Sequence, residues 1–385
     1  MSKDTQKALE LEIKTHFGGD KRRIFFIARF LLSLVVVCSV SYSKLSHYLN
    51  PLVRWQSNFK RIQRFFKDYK FSQRAYINFV FSLLIRLGGK DRFVLAIDRT
   101  NWKYGEKNIN ILMIAILYRG TAIPLIWSLL DKRGNSNQKE RISLVKSLKQ
   151  HTPSEYWSCI SCITMDREFV GHKWLSFLDG LNWIYVLRVK ISTVVEYQNK
   201  ETKIWRLFET YTYRVLRKKR TVFGLSVYLS GQKTINKKGK IEYVMFVSNV
   251  AGPKVAVYYA QRWGIEVLFG DLKSRGFNFE DTHMTNPDKL AKLLALLSIA
   301  FVWAHKVGEY KDAKIKEIVR KKHGRHQNTY FRYGLDMIVN AISKIGFSTK
   351  EFELCLKIFD KTINNTDLTL AKQEAVSLIN AFISA

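Results

Sequence analysis

Two apolar runs that stop at an acid do most to limit what this chain can become. "DRFVLAID" (residues 91–98) and "WSCISCITMD" (157–166) are nearly continuous hydrophobic stretches, ending in Asp98 and Asp166. Such runs read as strands buried on both faces, and those need helices packed above and below them. Between them, "NINILMIAILYRGTAIPLIWSLL" (108–130) gives two more strand-like runs around a Gly turn signal at "YRGT". "NQKERISLVKSLKQ" (137–150) then reads as a helix with Ile142, Val145 and Leu148 on its apolar side, Glu140 near its start and Ser136 as the expected cap. After the second aspartate come a helix, "EFVGHKWLSFLDG", and a strand, "NWIYVLRVK". The order strand, strand, strand, helix, strand, helix, strand predicts a mixed sheet with helices on its faces. Ligands of such sheets gather at the carboxyl ends of parallel strands, where both aspartates are expected.

The flanks differ. Residues 1–90 read as helical and basic: "YSKLSHYL" is followed by the polar "NPLVRWQSN" and then "FKRIQRFFKDYKF". There Ile62, Phe65 and Phe66 recur at helical spacing while Lys60, Arg61, Arg64, Lys67 and Lys70 line the other positions. This suits either a helix-turn-helix-like DNA contact or a basic solvated helix. Residues 191–249 alternate in "TVVEYQ", "TYTYRVLR" and "LSVYLSG" and form a β-rich insertion between two parts of the core, 91–190 and 250–310. Arg214, Arg217, Lys218, Lys219, Arg220, Lys233, Lys237, Lys238 and Lys240 make the insertion strongly basic. "KLAKLLALLSIAFVWAHKVG" (289–308) is an apolar helix expected to cover the sheet, and 311–385 a helical C-terminal region with a basic loop, "VRKKHGRHQ".

Against 32 acidic residues stand 64 basic ones, a formal charge of +32 over 385 residues. A polyanionic partner follows, and nucleic acid is the first candidate. The membrane is the rival. "IFFIARFLLSLVVVCSVSY" (24–42) is interrupted by Arg29, Ser33, Ser39 and Ser41, so a buried helix is expected there rather than a span, with no membrane partner. The charged first 23 residues do not read as a cleavable signal. Four cysteines are too few for a disulfide framework, which points to a reducing, cytoplasmic setting. Cys159 and Cys162 form a single C-x-x-C without a second ligand pair, so they read as structural thiols. The sequence carries no H-E-x-x-H, no Walker loop and no G-x-G-x-x-G.

"YYAQRWGIEVLFGDLKSRG" (258–276) is expected to be one helix. Taking Tyr259 as zero, Arg262, Glu266 and Lys273 fall near roughly -60°, -20° and -40°, one narrow stripe beside the apolar face of Ile265, Leu268, Phe269 and Leu272. A solvated face laced by ion pairs is the simple explanation. Together with Asp98 and Asp166, however, Glu266 completes three carboxylates. Carboxylate oxygens hold two hard divalent cations, which activate a water or hydroxyl for in-line attack on phosphate and stabilise the leaving oxygen. Arg262 and Lys273 are placed to hold backbone phosphates, Tyr259 to add a hydroxyl, and Trp263 either to stack on a base or to pack beside Arg262.

Tyr259, Arg262, Glu266 and Lys273 match a Y-(2)-R-(3)-E-(6)-K spacing, and with "AIDRTNW", "TMDREF" and "DKRGNSNQKERI" the chain resembles DDE transposases of bacterial insertion sequences, the YREK-signature (IS-four) family, over residues 40–340. The resemblance implies an α/β, RNase H-like (retroviral-integrase-like) mixed-sheet core with a β-rich insertion and helical terminal regions. It implies catalytic and metal-binding roles for Asp98, Asp166 and Glu266, phosphate contacts by Tyr259, Arg262 and Lys273, and two Mg2+ per site with Mn2+ as a substitute. It also implies cut-and-paste transposition, through a hairpin intermediate, by a homodimer holding terminal inverted repeats in a synaptic complex, in a bacterial cytoplasm at the nucleoid. Relatives seat a flipped base on an aromatic of the insertion; this insertion has no Trp near its end, leaving Tyr243 or Phe246. Further DNA contacts are expected from Lys60, Arg61, Arg64, Arg217, Lys218, Lys219 and Arg220. Two other readings stand beside this one: a transposase-derived DNA-binding protein that no longer cuts, and an RNase H-like nuclease without strand transfer.

Overall fold

The computed structural model of the chain describes residues 3–17, 19–85, 92–198, 200–210, 213–235, 239–252, 254–322, 324–344 and 350–357. Lys237, Lys238 and the tail 358–385, expected to be basic and helical respectively, lie outside the described residues. In chain order, five helices come first: α1 (Lys3–Phe17), α2 (Lys21–Val37), α3 (Tyr42–Leu49), α4 (Trp55–Asp68) and α5 (Gln73–Ile85). Then follow β1 (Phe93–Tyr104), β2 (Lys107–Tyr118), β3 (Thr121–Leu129), α6 (Gln138–His151), α7 (Ser154–Trp157), β4 (Ile160–Met165), α8 (His172–Gly180) and β5 (Ile184–Val189). The insertion supplies β6 (Val194–Tyr197), β7 (Lys200–Lys203), β8 (Tyr213–Val215), β9 (Arg220–Val222), β10 (Leu225–Ile235) and β11 (Ile241–Ser248). The chain continues with α9 (Lys254–Gln261), α10 (Trp263–Leu272), α11 (Pro287–Lys314), α12 (Tyr330–Ser343) and α13 (Lys350–Lys357). These elements form two compact units, one of residues 3–85, 102–107 and 268–357, the other of 92–101 and 108–267.

The sheet unit is mixed α/β. Its strands run β3-β2-β1-β4-β5-β11-β10-β9-β6-β7, with β8 added beside β10. β1, β4 and β5 are mutually parallel, while β2–β3, β5–β11 and β10–β11 are antiparallel. The insertion continues the core sheet: β11 pairs with β5 from Met245↔Val189 to Ser248↔Val186. Burial explains the central apolar runs, since Leu95, Ala96, Ile97, Ile163 and Met165 are all fully covered. α6 packs on β3 and α8, and α8 on β5.

Three local expectations need correction. β1 does not end at Asp98 but runs on to Tyr104, because the polar tail "RTNWKY" continues as strand and keeps Thr100 buried. The cap of α6 is Asn137: its side chain accepts from Glu140 N at 2.9 Å while Glu140 Oε2 accepts from Asn137 N at 2.7 Å, a reciprocal capping box. Ser136 is bound by Arg141 instead. The segment 258–276 is two helices, broken at Arg262, where Arg262 N–H bonds to Tyr259 O and Ile265 N–H to Arg262 O. These three-residue bonds tighten the turn and redirect the axis.

The helical unit is built around α11, which is apolar on almost every side and so must be enclosed. Within this unit it packs on α12, α2 and α4. Its approach to α12 depends on two glycines: a methyl group on Gly308 would stand 1.9 Å from Tyr330 O, and one on Gly334 1.8 Å from Ala304 O. α2 begins at Asp20, whose side chain accepts from the Arg22 and Arg23 N–H groups. Of its polar interruptions, Ser33 donates to Arg29 O at 2.8 Å, while Arg29 lies over the Phe25 ring at 5.4 Å with its Nε buried and without a hydrogen-bond partner among the described residues. The helix is buried along Ile24–Val35 and bends by 116° into α3. Between α3 and α4, buried Asn58 donates to Ser46 O and Asn50 O, both at 2.9 Å, and so fixes the polar break.

The α11–α12 contact is backbone against backbone, which no side-chain rotation relieves. Gly334→Ala is expected to overpack it by about 1–3 kcal/mol and to lower the melting temperature by roughly 3–10 °C. Differential scanning calorimetry of the purified chain checks this; an unchanged transition would mean the helices part without cost.

Candidate active site

Parallel pairing of β1 with β4 aligns Ala96 with Thr164 and Ile97 with Met165. The next residue on each strand is an aspartate, so Asp98 and Asp166 stand side by side where the ladder stops. α9 packs on β4 and β5 and brings Tyr259, whose hydroxyl donates to Asp166 Oδ1 at 3.3 Å. The tight turn that follows aims Arg262 inward, 6% exposed. Its Nη1 donates to Asp98 Oδ2 at 3.1 Å and its Nη2 to Glu266 Oε1 at 2.5 Å, while the guanidinium lies 5.4 Å from the centre of the Tyr259 ring. Tyr259 and Arg262 thus touch all three carboxylates. Gly264 is what allows α10 to start here, because a methyl group on it would lie 2.4 Å from Thr121 O.

A second network lies beside the first and was not singled out in the sequence. Arg99 makes a two-pronged contact with Glu168, Nε to Oε1 at 2.7 Å and Nη2 to Oε2 at 2.9 Å. It also donates to Asn110 Oδ1 and Asn135 Oδ1. Arg141, 3% exposed, donates to Glu168 O at 2.9 Å and Val170 O at 3.0 Å and to both oxygens of Ser136. The "AIDRTNW", "DKRGNSNQKERI" and "TMDREF" segments therefore meet through side chains, in contacts across 27 to 69 positions that no local periodicity announces.

The remaining expected site residues have their own surroundings. Lys273, in the helical unit, pairs with Glu280 at 2.6 Å and lies over the Trp102 ring at 5.6 Å. Trp263 is 61% exposed and so does not pack beside Arg262 as core. Of the two aromatics weighed for a flipped base, Phe246 is buried against Tyr259 at 4.7 Å and Tyr243 sits 6.0 Å from Trp205. Lys60, Arg61 and Arg64 are exposed on α4, and Arg217, Lys218 and Lys219 are exposed in the insertion. Arg220 is half-buried over the Tyr197 ring.

Burial pushes the Asp98 carboxyl up to about 6, against the pull of Arg262 and the Arg99 N–H and with a further push from Glu168 and Asp166. Burial also raises the Tyr259 phenol, which stays protonated and able to donate. It opposes the charge of Arg262 too, but Tyr259, Asp98 and Glu266 more than offset that and hold the guanidinium above an ordinary arginine. The donor set of Asp98, Asp166 and Glu266 is all oxygen, which fits a hard divalent cation, and a carboxylate whose burial disfavours its charge is one that a cation stabilises. As they stand, no three His, Cys, Asp or Glu groups among the described residues are close enough to enclose an ion. Arg262 holds Asp98 and Glu266 instead. All four cysteines are free thiols.

The Asp98 value has a stability consequence. Its carboxyl ionises near 3.8 when unconstrained and about 6 when folded, so the folded chain binds the extra proton and stability falls as pH rises through that window. The loss amounts to roughly 3 kcal/mol, complete just above pH 6. Asp98→Asn removes the titration. In a chelating buffer its melting temperature relative to the unaltered chain should therefore rise between pH 4 and pH 7, and a constant difference would contradict the burial of this charge.

A family model for the transposase DDE domain matches residues 89–303, more than half of the chain. No curated protein sequence matches. Among solved structures the chain is similar to a piggyBac transposase described in a synaptic complex with hairpin DNA, with 14% identity and a TM-score of 0.37 over 98% of this chain and 75% of that one. With Asp98, Asp166 and Glu266 all inside the matched span, the chain belongs to the transposase DDE domain family, enzymes that cut and move DNA and generally use divalent metals.

Proposed function

We propose that this chain is the transposase of a bacterial insertion sequence of the YREK-signature (IS-four) group. In this reading an RNase H-like core cleaves DNA at the element's terminal inverted repeats and joins the freed ends to target DNA, in cut-and-paste fashion through a hairpin intermediate. The observation that carries it is the joint contact of Tyr259 with Asp166 and of Arg262 with Asp98 and Glu266, which ties the signature to the three carboxylates.

Asp98, Asp166 and Glu266 would hold two Mg2+, with Mn2+ able to replace them, and these supply charge to the attacking oxygen and to the leaving oxygen. The chain's own residues do the positioning. Arg262 exchanges its two carboxylates for a phosphate of the bound strand, a site its planar fork suits. Tyr259 keeps its proton and steadies Asp166. Exposed Trp263 offers a ring for an unstacked base, and Lys273, as the last member of the signature, is assigned to a backbone phosphate. We assign end recognition to residues 1–90 with Lys60, Arg61 and Arg64 on the DNA, further backbone contact to the basic insertion 191–249, and dimerisation or DNA contact to 311–385. The working form is a homodimer holding two ends, at the bacterial nucleoid.

A transposase-derived protein that binds without cutting is the second reading, favoured by the hold of Arg262 on Asp98 and Glu266. Nicking separates the two. On duplex carrying the element's ends with Mg2+, Asp98→Asn and Glu266→Gln should each cut about 1000-fold more slowly or worse, the loss of several kcal/mol of charge stabilisation. Gel-shift affinity should stay within about twofold, a difference of under 0.5 kcal/mol. Wild-type cutting by either variant overturns the metal assignment, and an unaltered chain that binds but never nicks supports the silent reading.

A further inference from the structure

We propose that Arg99, Glu168 and Arg141 are positioning residues that set the spacing of Asp98 and Asp166, an inference resting on the reading of those two aspartates as metal ligands. The β1–β4 ladder ends at Ile97↔Met165, so main-chain pairing stops one residue short of both carboxylates. Beyond that point two like charges on neighbouring strands repel, and something else must fix them. Arg99 directly follows Asp98, and Glu168 lies two residues after Asp166. Their two parallel hydrogen bonds fix orientation as well as distance, which a single contact does not.

Each end of this brace is anchored in turn. Arg99 Nη1 is held by Asn110, whose amide donates to Lys132 O at 3.0 Å and Gly134 O at 2.9 Å. The loop after β4 is held through its main chain by Arg141, at Glu168 O and Val170 O, while Phe169 sits under the guanidinium at 4.9 Å. The main chain two residues beyond Asp166 is thereby held in place. The side chains of Arg99 and Glu168 are 11% and 20% exposed, enough enclosure for the pair to resist water and not enough for it to be core. Its position outside the ladder and next to the carboxylates gives it a task in the site rather than in the sheet.

Mn2+ alone, followed by electron paramagnetic resonance titration of the full chain without DNA, tests this. Arg99→Gln and Glu168→Gln should weaken Mn2+ binding about 10–100-fold, the usual effect of removing an outer partner of a metal site. Arg99→Lys, which keeps the charge but not the fork, should fall between Arg99→Gln and the unaltered chain. In nicking assays the Mn2+ concentration for half-maximal rate should rise by a similar factor while the rate at saturating Mn2+ changes far less. A purely structural role would lower both together and leave Arg99→Lys no better than Arg99→Gln, and that result overturns the proposal. Unchanged Mn2+ affinity in both glutamine variants, with Asp98→Asn impaired, overturns the brace alone. Failure of the unaltered chain to bind Mn2+ at all overturns the metal reading and the brace with it.

Discussion

One buried guanidinium holds the site in order. Arg262 is almost fully enclosed, and it reaches Asp98 on the central sheet and Glu266 on its own side of a helix break at the same time. Without it, Asp98 and Glu266 would lose their compensating charge, and leaving a buried carboxylate unpaired is costlier than the pair is worth. A buried ion pair contributes little net stability relative to a well-packed apolar contact, so its value lies in geometry. Here the geometry is specific: a straight helix through residue 262 would not present that side chain inward in the same way, and the three-residue bonds at Tyr259 and Ile265 redirect it.

The sheet supplies the rest of the precision. In a parallel pair the register decides which side chains are neighbours, and a slip of one residue would turn one of the two aspartates to the opposite face. The buried runs on both sides of that register, Leu95 to Ile97 and Ile163 to Met165, make such a slip expensive because every displaced side chain would lose its cavity. The same strands explain how a basic insertion can be carried without disturbing the site. It enters through β11, which pairs with β5, on the far side of β4 from β1.

Much of this was legible in the sequence because burial leaves a continuous signal. "FVLAI" and "ISCITM" read as strands since a strand covered on both faces tolerates no polar alternation, and the ladder they form places the two aspartates together. What escaped was set by partners distant in the chain. The apolar run stops at Asp98, yet the polar residues after it continue β1, because strand membership there is decided by pairing with β2 and not by composition. The apolar run 289–308 announced a buried helix, but apolarity on all sides does not say against what, and it encloses itself among α2, α4 and α12. The break at Arg262 had one signal, Gly264, whose missing side chain lets the chain pass Thr121. Arg99 and Glu168 gave none, since an ion pair between residues 69 apart has no period.

The arginines and lysines of this chain therefore fall into two populations with different physics. Arg99, Arg141 and Arg262 are buried or nearly so, and each is committed to carboxylates or carbonyls within the sheet unit. Lys60, Arg61, Arg64 and Lys67 on α4, and Arg217, Lys218 and Lys219 in the insertion, face solvent. Only the second population can attract a polyanion at a distance, because an exposed charge not already neutralised projects a field into water. The site itself gathers Asp98, Asp166, Glu168 and Glu266 around two of those buried arginines, an excess of acid that repels phosphate. In the proposed function, a DNA strand drawn in by the outer cations would meet a centre whose excess acid has to be offset by further positive charge. A chain of +32 thus keeps a group of acids beside its buried arginines, the place where the proposed metal ions would supply the balancing charge.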